Sequence, residues 1–557
     1  MEFSGAEIIV KMLEQRGIDC LAGMPGGANL HIYKALYHSS IRHVLVRHEQ
    51  AAGFIAQGMA RSTGKAAVCL VTSGPGATNL LTAIADAKFD SVPMVAIAGQ
   101  VAADLIGTDA FQEIDTYGLT IPITKHNFLV RSARDLLHLI PEAFYIAEQG
   151  RPGPVLIDVP KNVQQELVEF DEWPTFKSPH VSSAGEAVDW TAVLKELRQA
   201  QRPVIVAGAG IVEGGAEADL LRLSEQGGIP VCCTLRALGA FPADHPLYLG
   251  MLGMHGTPYA NILLNEADLL VVLGARLDDR ATGKIANFCP QARLLHVDLD
   301  GAELNKVKQA VVAVQAEVGG FLNELLERLE NYSDLEPIAA WQTRIRAAKA
   351  ERPYLSEPAV EDVFHPLRII DEVAAVASED ALVVTDVGQH QMWVAMRYPF
   401  RRSRSLLTSA GLGTMGFGLP AALGAALAFP KRQVLCFTGD GSFLMNIQEL
   451  ATVADEQPDL KILLYDNRAL GLVRQQQELF YGAEFIGSRY ETQTDFVKVA
   501  EGFGIRAVDL ACSAEPLSDL RDVLHVTGPV LIRIPVLEEE KVLPMVPPGA
   551  ANHQMIG

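Results

Sequence analysis

Two polar side chains in the last third of the chain follow successive apolar runs at a spacing that suits magnesium chemistry. Asp440 comes shortly after the apolar run at residues 434–437, and Asn467, 27 positions later, follows a second run at residues 461–465. A strand–helix–strand unit of this length forms a parallel crossover, so both side chains should lie at the carboxyl ends of neighbouring strands, where open α/β sheets bind ligands. Mg²⁺ prefers a few such oxygen ligands together with phosphate oxygens. The unit therefore predicts a Mg²⁺–diphosphate site, and an ordinary turn with a capping aspartate is the alternative.

The residues that follow Asp440 favour the anion-binding part of this prediction. Gly441 lets the backbone approach a phosphate closely, and a helix that starts at Ser442 would offer free N–H groups to the same anion. The combination of Gly-Asp-Gly with the later Asn resembles the diphosphate motif of thiamine diphosphate (ThDP) enzymes.

ThDP chemistry also needs a carboxylate that hydrogen-bonds the pyrimidine ring and so promotes loss of a proton from the thiazolium carbon. Glu49 stands just past a predicted strand at residues 43–46, at the start of a helix and among small and apolar residues. Burial there would suit it to sharing a proton. The alternative is a solvated glutamate in the first turn, favoured by the helix dipole.

A glycine-rich run at residues 411–418 offers the means to bend the cofactor so that its two rings meet. Met415 would supply the bulky apolar support between the rings, and Gly413 a backbone carbonyl for the amino group. Simple core packing is the alternative for Met415. The run also matches the dinucleotide fingerprint G-x-G-x-x-G, but no acidic residue stands about 20 positions further on, so we reject that interpretation.

The size, composition and charge of the chain limit the classes of function. A length of 557 residues exceeds one hydrophobic core and predicts about three domains. The composition (49% hydrophobic, 20% charged) indicates a soluble globular protein, and no apolar run reaches a membrane-spanning length. A net charge of −21 without a basic run argues against nucleic acid or an anionic membrane as partner.

Seven cysteines lie mostly in apolar runs and show no metal-binding spacing, which predicts reduced core residues and a cytoplasmic location. The first 13 residues predict an amphipathic helix with acidic residues rather than a targeting peptide.

The alternation of strands, glycine turns and helices predicts an α/β protein of three doubly wound parallel-sheet domains. We expect domains at residues 1–165, 187–340 and 366–535, and a tail at 536–557 that packs over another part of the chain. The first and third domains repeat one order of elements, which suggests the same fold at both ends. Residues 166–186 are typical of a linker, and residues 341–365 of a polar helix with a linker. The clearest further strands are predicted at residues 66–71, 93–98, 154–159, 203–207, 230–233, 269–273 and 294–297.

Over nearly its whole length the chain resembles the catalytic large subunit of acetohydroxyacid synthase, also called acetolactate synthase. The runs that carry the resemblance are PGGA (25–28), RHEQAA (47–52), TSGPGATN (72–79), GTDAFQE (107–113), GRPGPVLIDVPK (150–161), GMLGMHG (250–256), GARLDDRATG (274–283), DVGQHQMW (386–393), GLGTMGFGLPAA (411–422) and the GDG…N unit. The resemblance implies an N-terminal pyrimidine-binding, a central FAD-binding and a C-terminal diphosphate-binding domain. It implies decarboxylation of pyruvate on ThDP and ligation of the hydroxyethyl unit to a second 2-oxoacid, giving 2-acetolactate or 2-aceto-2-hydroxybutanoate in branched-chain amino acid biosynthesis.

The resemblance also assigns roles to cofactor-binding residues. Glu49 is implied to be the ThDP activator, and Asp440, Asn467 and the backbone carbonyl of Ala469 are implied to hold Mg²⁺. The other implied ThDP contacts are Pro75, Gly388, Gln389, His390, Gly413, Met415, Gly441 and Ser442. FAD, which has no redox role in a carboligation, is implied to contact Gly208, Ala209, Gly210, Thr234, Leu235, Met254, His255, Gly274, Ala275, Arg276, Asp278, Arg280 and Asp298. For the turn at 208–210, which follows a predicted strand, a small-residue turn for helix packing is the alternative.

The implied substrate residues are Gln112, Lys161 and Arg280, with a pocket formed by Gly27, Ala28, Phe111, Met254 and Gln476. Arg280 would meet the carboxylate of the second 2-oxoacid, which suits a planar bidentate donor; a surface charge is the alternative for Arg280 and Lys161. Gln476 is a departure, because most of the family has Trp there, packed on the extra methyl of 2-oxobutanoate. Gln is found in one enterobacterial-type isozyme, which the sequence around Gln476 resembles. We therefore expect weak discrimination between 2-oxobutanoate and pyruvate.

Because Glu49 and Asp440 belong to different end domains, the resemblance implies active sites at the interface of a homodimer. A tetramer is the alternative assembly, and the resemblance also implies a separate small regulatory subunit.

Several related functions are disfavoured. Glyoxylate carboligase has an apolar residue in place of Glu49, and the catabolic acetolactate synthases lack FAD. A pyruvate oxidase would use FAD for redox, a non-catalytic ThDP-fold binding protein would not need Glu49, Asp440 and Asn467 intact, and a flavin dehydrogenase would not need the GDG…N unit.

Overall fold

The computed structural model describes residues 1–176, 188–332, 335, 337–351, 359 and 361–557. Both predicted linkers, at residues 166–186 and 341–365, lie partly outside these ranges. Part of the first linker was predicted wrongly, because Leu167–Glu169 forms a strand that pairs antiparallel with Glu2–Ser4. The N-terminal segment therefore begins with a short strand before its helix, and this small sheet ties the start of the chain to the end of its first large sheet.

The N-terminal sheet has six parallel strands. In spatial order they are Arg42–Leu45, Cys20–Gly23, Ala67–Val71, Met94–Gln100, Pro154–Pro160 and His126–Leu129. Its longer helices are Gly5–Arg16, Leu30–Tyr37, Glu49–Thr63, Pro75–Phe89 and Leu136–Glu148, with short ones at Thr116–Thr120 and Lys161–Gln165. The first helix shows how sequence sets these bounds: Ser4 and Glu7 form a capping box at its start, and Gly17 in a left-handed conformation ends it.

The C-terminal sheet repeats this topology. Its six parallel strands lie in the order Leu406–Thr408, Leu382–Thr385, Val434–Gly439, Leu460–Asp466, Val530–Pro535 and Arg506–Asp509. Numbered within its own sheet, each end domain has the strand order 2-1-3-4-6-5, which confirms the prediction of one fold at both ends. The helices are Pro366–Val376, Gln389–Arg397, Gly418–Ala428, Asp440–Leu444, Leu450–Glu456, Gly471–Phe480, Phe496–Gly502 and Pro516–Leu524.

The central sheet has a different order. Its parallel strands lie as Tyr248–Met251, Val231–Cys233, Pro203–Ala207, Leu269–Leu273, Arg293–Asp298 and Val312–Gln315, which is the order 3-2-1-4-5-6 of the dinucleotide-binding fold. The helices around it are Trp190–Gln199, Ala209–Glu213, Glu217–Gly227, Pro258–Glu266, Asp279–Thr282, Val318–Tyr332 and Ala339–Glu351. Near-continuous apolar strands, as in Leu269–Leu273, are expected where helices cover both faces of a parallel sheet. Together the three sheets confirm the predicted fold class.

The two end domains share one hydrophobic core, in which Glu49–Thr63 crosses Gly418–Ala428. Backbones meet there directly: a Cβ added to Gly58 would lie 2.0 Å from the carbonyl oxygen of Ala421, and one added to Gly424 would lie 2.1 Å from that of Ile55. Only glycine permits such an approach. The contact fixes how the helix that begins with Glu49 lies against the C-terminal domain of the same chain.

Two smaller predictions are corrected. The helix after Gly439 begins at Asp440, not Ser442, and is short. Of the seven cysteines, all free, five are buried as expected, but Cys20 is half-buried and Cys512 is exposed. No helix among the described residues combines the length and the apolar character needed to cross a membrane.

Candidate active site

The first cluster of polar residues lies at the carboxyl edge of the C-terminal sheet, between strands Leu382–Thr385 and Val434–Gly439, where the strand order reverses. Such a switch point is where open α/β sheets bind ligands. Asp440 directly follows strand Val434–Gly439, and Asn467 follows the neighbouring strand Leu460–Asp466. The sequence-based placement of these two side chains at one sheet edge is confirmed.

Asp440 has the environment of a ligand to a cation. Its side chain is only 3% exposed, and Oδ1 accepts a hydrogen bond from the N–H of Gly441 at 2.8 Å. Oδ2 is buried and has no hydrogen-bond partner among the residues that the structure describes. Burial and, second, the nearby carboxylate of Asp466 raise the pKa of Asp440 to about 7. A buried carboxylate oxygen without a donor costs free energy that a bound cation would offset.

A second loop, after strand Leu382–Thr385, completes this edge. The Nδ2 of Asn467 lies 3.0 Å from Oε1 of Gln389, and Ser442 donates to the carbonyl of Val387 at 2.6 Å. Burial lowers the pKa of His390 to about 3, so the ring is neutral. Its Nε2 is buried and likewise has no hydrogen-bond partner in the described part of the chain. Gly388 must lack a side chain, because a Cβ there would lie 2.8 Å from this ring.

The glycine-rich loop that carries Gly413 and Met415 borders the same site. A Cβ on Gly441 would lie 3.6 Å from the terminal methyl of Met415, and 2.6 Å from the hydroxyl of Tyr490. Gly441 is therefore enclosed, and its backbone is the surface available to a ligand. Met415 is half-buried and stands beside this site.

Glu49 occupies the first position of helix Glu49–Thr63 and is 8% exposed, which excludes the solvated alternative. Its Oε2 accepts a hydrogen bond from Nδ2 of Asn79 at 2.9 Å. Its Oε1 lies near Gly76, where an added Cβ would be 3.5 Å away. The neighbouring Gln50 contacts the C-terminal domain, because Nδ2 of Asn446 lies 3.1 Å from its Oε1.

The other predicted N-terminal site residues lie in segments that follow strands of their own sheet. Pro75 begins helix Pro75–Phe89 after strand Ala67–Val71, and Ala28 donates through its N–H to Thr72 at 3.4 Å. Gly27 faces open space, and Phe111 is 88% exposed. Gln112 has a φ of +61° and packs beside Gly74. Lys161, at the start of its helix, is exposed.

The central domain holds a cavity of about 1140 Å³ at its own switch point, between strands Pro203–Ala207 and Leu269–Leu273. Of the predicted FAD contacts, all but Gly208 line it: Ala209, Gly210, Thr234, Leu235, Met254, His255, Gly274, Ala275, Arg276, Asp278, Arg280 and Asp298. A Cβ on Gly208 would lie 2.1 Å from the carbonyl oxygen of Gly274, so this glycine serves loop-to-loop packing. The sheet order and the size of the cavity fit a dinucleotide.

The same cavity reaches the C-terminal domain. Its wall includes residues 409–413, Val387 and Gln476, so the predicted FAD and ThDP surroundings are continuous. Arg280 stands at this cavity with its side chain 67% exposed and Nη1 3.4 Å from the sulfur of Met254. Burial lowers the pKa of His255 to about 4, which keeps this ring neutral.

The tail packs over this region, as predicted. The N–H of Val546 donates to the carbonyl of Met254 at 2.8 Å, and Asn552 donates to the carbonyl of Ala281 at 2.7 Å. The tail residue Met545 lines the cavity. The tail therefore holds the segment that carries Met254 and Arg280.

Comparison with known proteins agrees with this geometry. Three thiamine pyrophosphate enzyme families match: the N-terminal TPP binding domain at residues 3–119, the central domain at 190–325 and the C-terminal TPP binding domain at 386–534. The chain is 51% identical to the acetolactate synthase isozyme 1 large subunit of Escherichia coli, covering all of this chain and 98% of the relative. The chain belongs to the acetolactate synthase large-subunit family.

Two further members of the acetolactate synthase family illustrate the breadth of the match. The isozyme 2 large subunit of Escherichia coli is 43% identical over 99% of both chains. The large subunit of Corynebacterium glutamicum is also 43% identical, over 99% of this chain and 89% of its own length. Full-length similarity of this kind covers every cluster described above.

Sequence reasoning missed three residues that support the site. Asn79 holds Glu49, Tyr490 encloses Gly441, and Asp386 accepts hydrogen bonds from the N–H groups of Val387 and Gly416, both at 2.9 Å. Asp386 directly follows the first strand of the C-terminal domain at the switch point, a position that the sequence could have indicated. No sequence signal indicated Tyr490, because it stands 49 positions away from Gly441 in the chain.

Proposed function

We propose that this chain is a catalytic acetolactate synthase subunit that converts two molecules of pyruvate into 2-acetolactate and CO₂. With 2-oxobutanoate as acceptor the product would be 2-aceto-2-hydroxybutanoate, and both reactions serve branched-chain amino acid synthesis. The observation that carries the proposal is Asp440, a buried carboxylate with an unpartnered oxygen at the switch point of a TPP-binding domain. ThDP, when bound, supplies the electron sink that makes decarboxylation of a 2-oxoacid possible.

The residues of the C-terminal domain would hold the diphosphate and its metal. Asp440, Asn467 and the carbonyl of Ala469 would bind Mg²⁺, whose preference for few protein oxygens they satisfy. Gln389 already orients Asn467, since their amides lie 3.0 Å apart. The diphosphate itself would lie against Gly388, Gln389, His390, Gly441 and Ser442.

Glu49 would exchange a proton with the pyrimidine ring of the cofactor. Asn79 occupies one of its two carboxylate oxygens, which leaves Oε1 for the ring. Met415 and the carbonyl of Gly413 would support the bent cofactor, and Pro75 would border the pyrimidine. Because Glu49 and Asp440 belong to different end domains, we assign the pyrimidine and diphosphate halves of one site to two subunits of a homodimer.

We likewise assign the substrate residues to two subunits. Arg280, Met254 and Gln476 line one continuous cavity and would receive the carboxylate and side chain of the acceptor. The N-terminal residues Gly27, Ala28, Phe111, Gln112 and Lys161 do not line that cavity, and Phe111 is almost fully exposed. We infer that a second subunit brings these residues to the acceptor site.

FAD would occupy the central cavity without a redox role, because carboligation of two 2-oxoacids has no net oxidation. The relatives are named large subunits, and we propose a separate small regulatory subunit for this chain as well. Seven free cysteines suit a reducing compartment such as the cytoplasm.

Gln476 would make this enzyme a weak discriminator of acceptors. Its side chain is exposed on helix Gly471–Phe480 and lines the cavity. An amide offers the extra methylene of 2-oxobutanoate less apolar contact than the indole found in most of the family, a difference of about 1–3 kcal/mol. A strong excess of acetohydroxybutanoate in a mixed-substrate assay would contradict this assignment.

The test of the proposed function is acetolactate formation from pyruvate with ThDP and Mg²⁺, with and without FAD. We expect product only when all three cofactors are present. Product formed without FAD would indicate the catabolic type, and oxygen uptake in place of acetolactate would indicate an oxidase.

A further inference from the structure

A buried network of charges joins the N-terminal domain to the cofactor loop at residues 409–414. Asp90 accepts hydrogen bonds from the backbone N–H groups of Ala410 and Gly411, both at 2.9 Å. Asp86 accepts from the hydroxyls of Ser409 and Thr414, the latter at 2.9 Å. Four hydrogen-bond donors of one short loop are therefore accepted by two carboxylates of another domain.

Arg61 forms an ion pair with each of these carboxylates. Its Nη2 lies 3.1 Å from Asp86 and 3.0 Å from Asp90, and its Nη1 donates to the carbonyl of Thr408 at 2.9 Å. Both carboxylate side chains are fully buried, and the Arg61 side chain is 5% exposed. Burying three charges in this way is costly unless every hydrogen bond is made, so the arrangement tolerates little movement of the loop.

The two carboxylates have different surroundings. Burial raises the pKa of Asp86 above its ordinary value despite Arg61. At Asp90 the effect of burial is outweighed by Arg61, Arg236 and the N–H groups of Ala410 and Gly411, and the pKa falls. Asp90 is therefore the firmly ionised anchor, held by backbone donors that cannot rotate.

The anchored loop leads directly into the cofactor site. Residues 409–413 line the cavity shared with the central domain, and Thr414 precedes Met415. The N–H of Thr414 also donates to Oγ of Ser409 at 2.8 Å, which closes the loop on itself. The central domain contacts the same charge network, because Arg236 donates a hydrogen bond to the backbone carbonyl of Asp90.

We propose that Arg61, Asp86 and Asp90 are positioning residues that hold loop 409–414, and with it Gly413 and Met415, in the conformation required to bind ThDP. The inference rests on the proposed function, since that function assigns Gly413 and Met415 to the cofactor. It adds that the cofactor loop is set from the N-terminal domain of the same chain.

The test measures ThDP affinity by titration calorimetry with Mg²⁺ present, on the full-length FAD-containing protein freed of ThDP. Thr414→Val keeps all charges and the side-chain shape but removes one donor to Asp86. We expect about tenfold weaker ThDP binding, equivalent to about 1.4 kcal/mol. Ser224→Ala is the control: the hydroxyl of Ser224 donates to the carbonyl of Ile229 at 2.7 Å, and Ser224 is fully buried in the central domain away from the loop, whereas Thr414 is half-buried.

Two isosteric variants separate the carboxylates. Asp90→Asn should weaken ThDP binding more than Asp86→Asn, because an amide group must turn its NH₂ towards one of two fixed backbone donors. The hydroxyls that face Asp86 can instead rotate and accept from an amide. If Asp90→Asn does not fold, the pair Thr414→Val and Ser224→Ala still decides the matter.

The inference is overturned if wild type binds ThDP and Thr414→Val binds it within twofold as tightly. It is also overturned if Ser224→Ala weakens binding as much as Thr414→Val, since the effect would then be general loss of stability. A wild-type protein that binds no ThDP would overturn the proposed function itself, and the inference with it.

Discussion

Replacing Glu49 by glutamine distinguishes a catalytic role of this carboxylate from a purely structural one. We expect the fold to accept the change. Asn79 donates to Oε2 of Glu49 at 2.9 Å, and the amide oxygen of a glutamine can accept the same bond. The amide NH₂ then replaces Oε1, on the side that faces Gly76 and is assigned to the cofactor. The substitution removes the proton-accepting oxygen while it keeps the contact that holds the side chain.

The expected loss of reaction rate follows from the proposed role of Glu49 as a general acid and base. A positioned general acid or base contributes about 10²–10⁴-fold to a rate, which corresponds to roughly 2.7–5.5 kcal/mol of transition-state stabilisation. A glutamate that only complements the helix dipole would contribute about 0.3–1 kcal/mol to stability and nothing to turnover. The two interpretations of Glu49 therefore predict rates that differ by at least two orders of magnitude.

The assay is acetolactate formation from pyruvate at saturating ThDP, Mg²⁺ and FAD, together with the melting temperature of each variant. Glu7→Gln is the control, because Glu7 also lies in the first turn of an N-terminal helix and serves only the cap with Ser4. We expect wild-type rates for Glu7→Gln. A rate for Glu49→Gln within tenfold of wild type would refute the assignment of Glu49 as activator.

Three further predictions test other parts of the site and the scaffold. Asp440→Asn should weaken Mg²⁺-dependent ThDP binding by at least roughly 100-fold in calorimetry, since it removes the anionic metal ligand; unchanged affinity would exclude Asp440 as ligand. Gln476→Trp should raise the preference for 2-oxobutanoate about tenfold in the product ratio of a mixed-substrate assay. Burial raises the pKa of Asp158 to about 7, against about 3.9 in the unfolded chain. Between about pH 4 and 7 the unfolded chain ionises this group while the folded protein keeps it protonated, so stability falls as pH rises. Asp158→Asn should therefore gain about 2.6 kcal/mol more stability relative to wild type at pH 8 than at pH 5, measured by chemical unfolding.

The sequence predicted the parts of this protein that are local in the chain. Long apolar strands such as Pro203–Ala207 and Leu269–Leu273 were predicted with their observed bounds, because buried parallel strands are continuous apolar runs. Some strands of three or four residues, such as Leu406–Thr408 and Cys20–Gly23, were not predicted, because such short runs show no clear period; Val231–Cys233, which is equally short, was predicted from its apolar run. The strand Leu167–Glu169 was mistaken for linker, since its partner lies at the other end of the domain.

In the site, too, features that are local in the chain were predicted and contacts between distant segments were not. Asp440 and Asn467 were predicted to meet because parallel crossovers place successive strand ends together. The contact of Asn79 with Glu49, and the enclosure of Gly441 by Tyr490, depend on how helices and distant loops pack. No local pattern encodes such contacts, so they become visible only in the folded chain.

The two end domains show why one scaffold can carry two roles. Both sheets have the strand order 2-1-3-4-6-5, and both place their first and third strands at the switch point. At the C-terminal switch point the loops begin with Asp386 and Asp440, which organise backbone N–H groups and offer an anionic oxygen. At the N-terminal switch point the corresponding loops, at residues 24–28 and 72–76, contain no acidic side chain. The shared topology fixes the sheet edge at which a ligand would bind each domain. The loop residues decide that the C-terminal edge offers an anionic oxygen, whereas the N-terminal loops offer none and only Glu49 stands beside them.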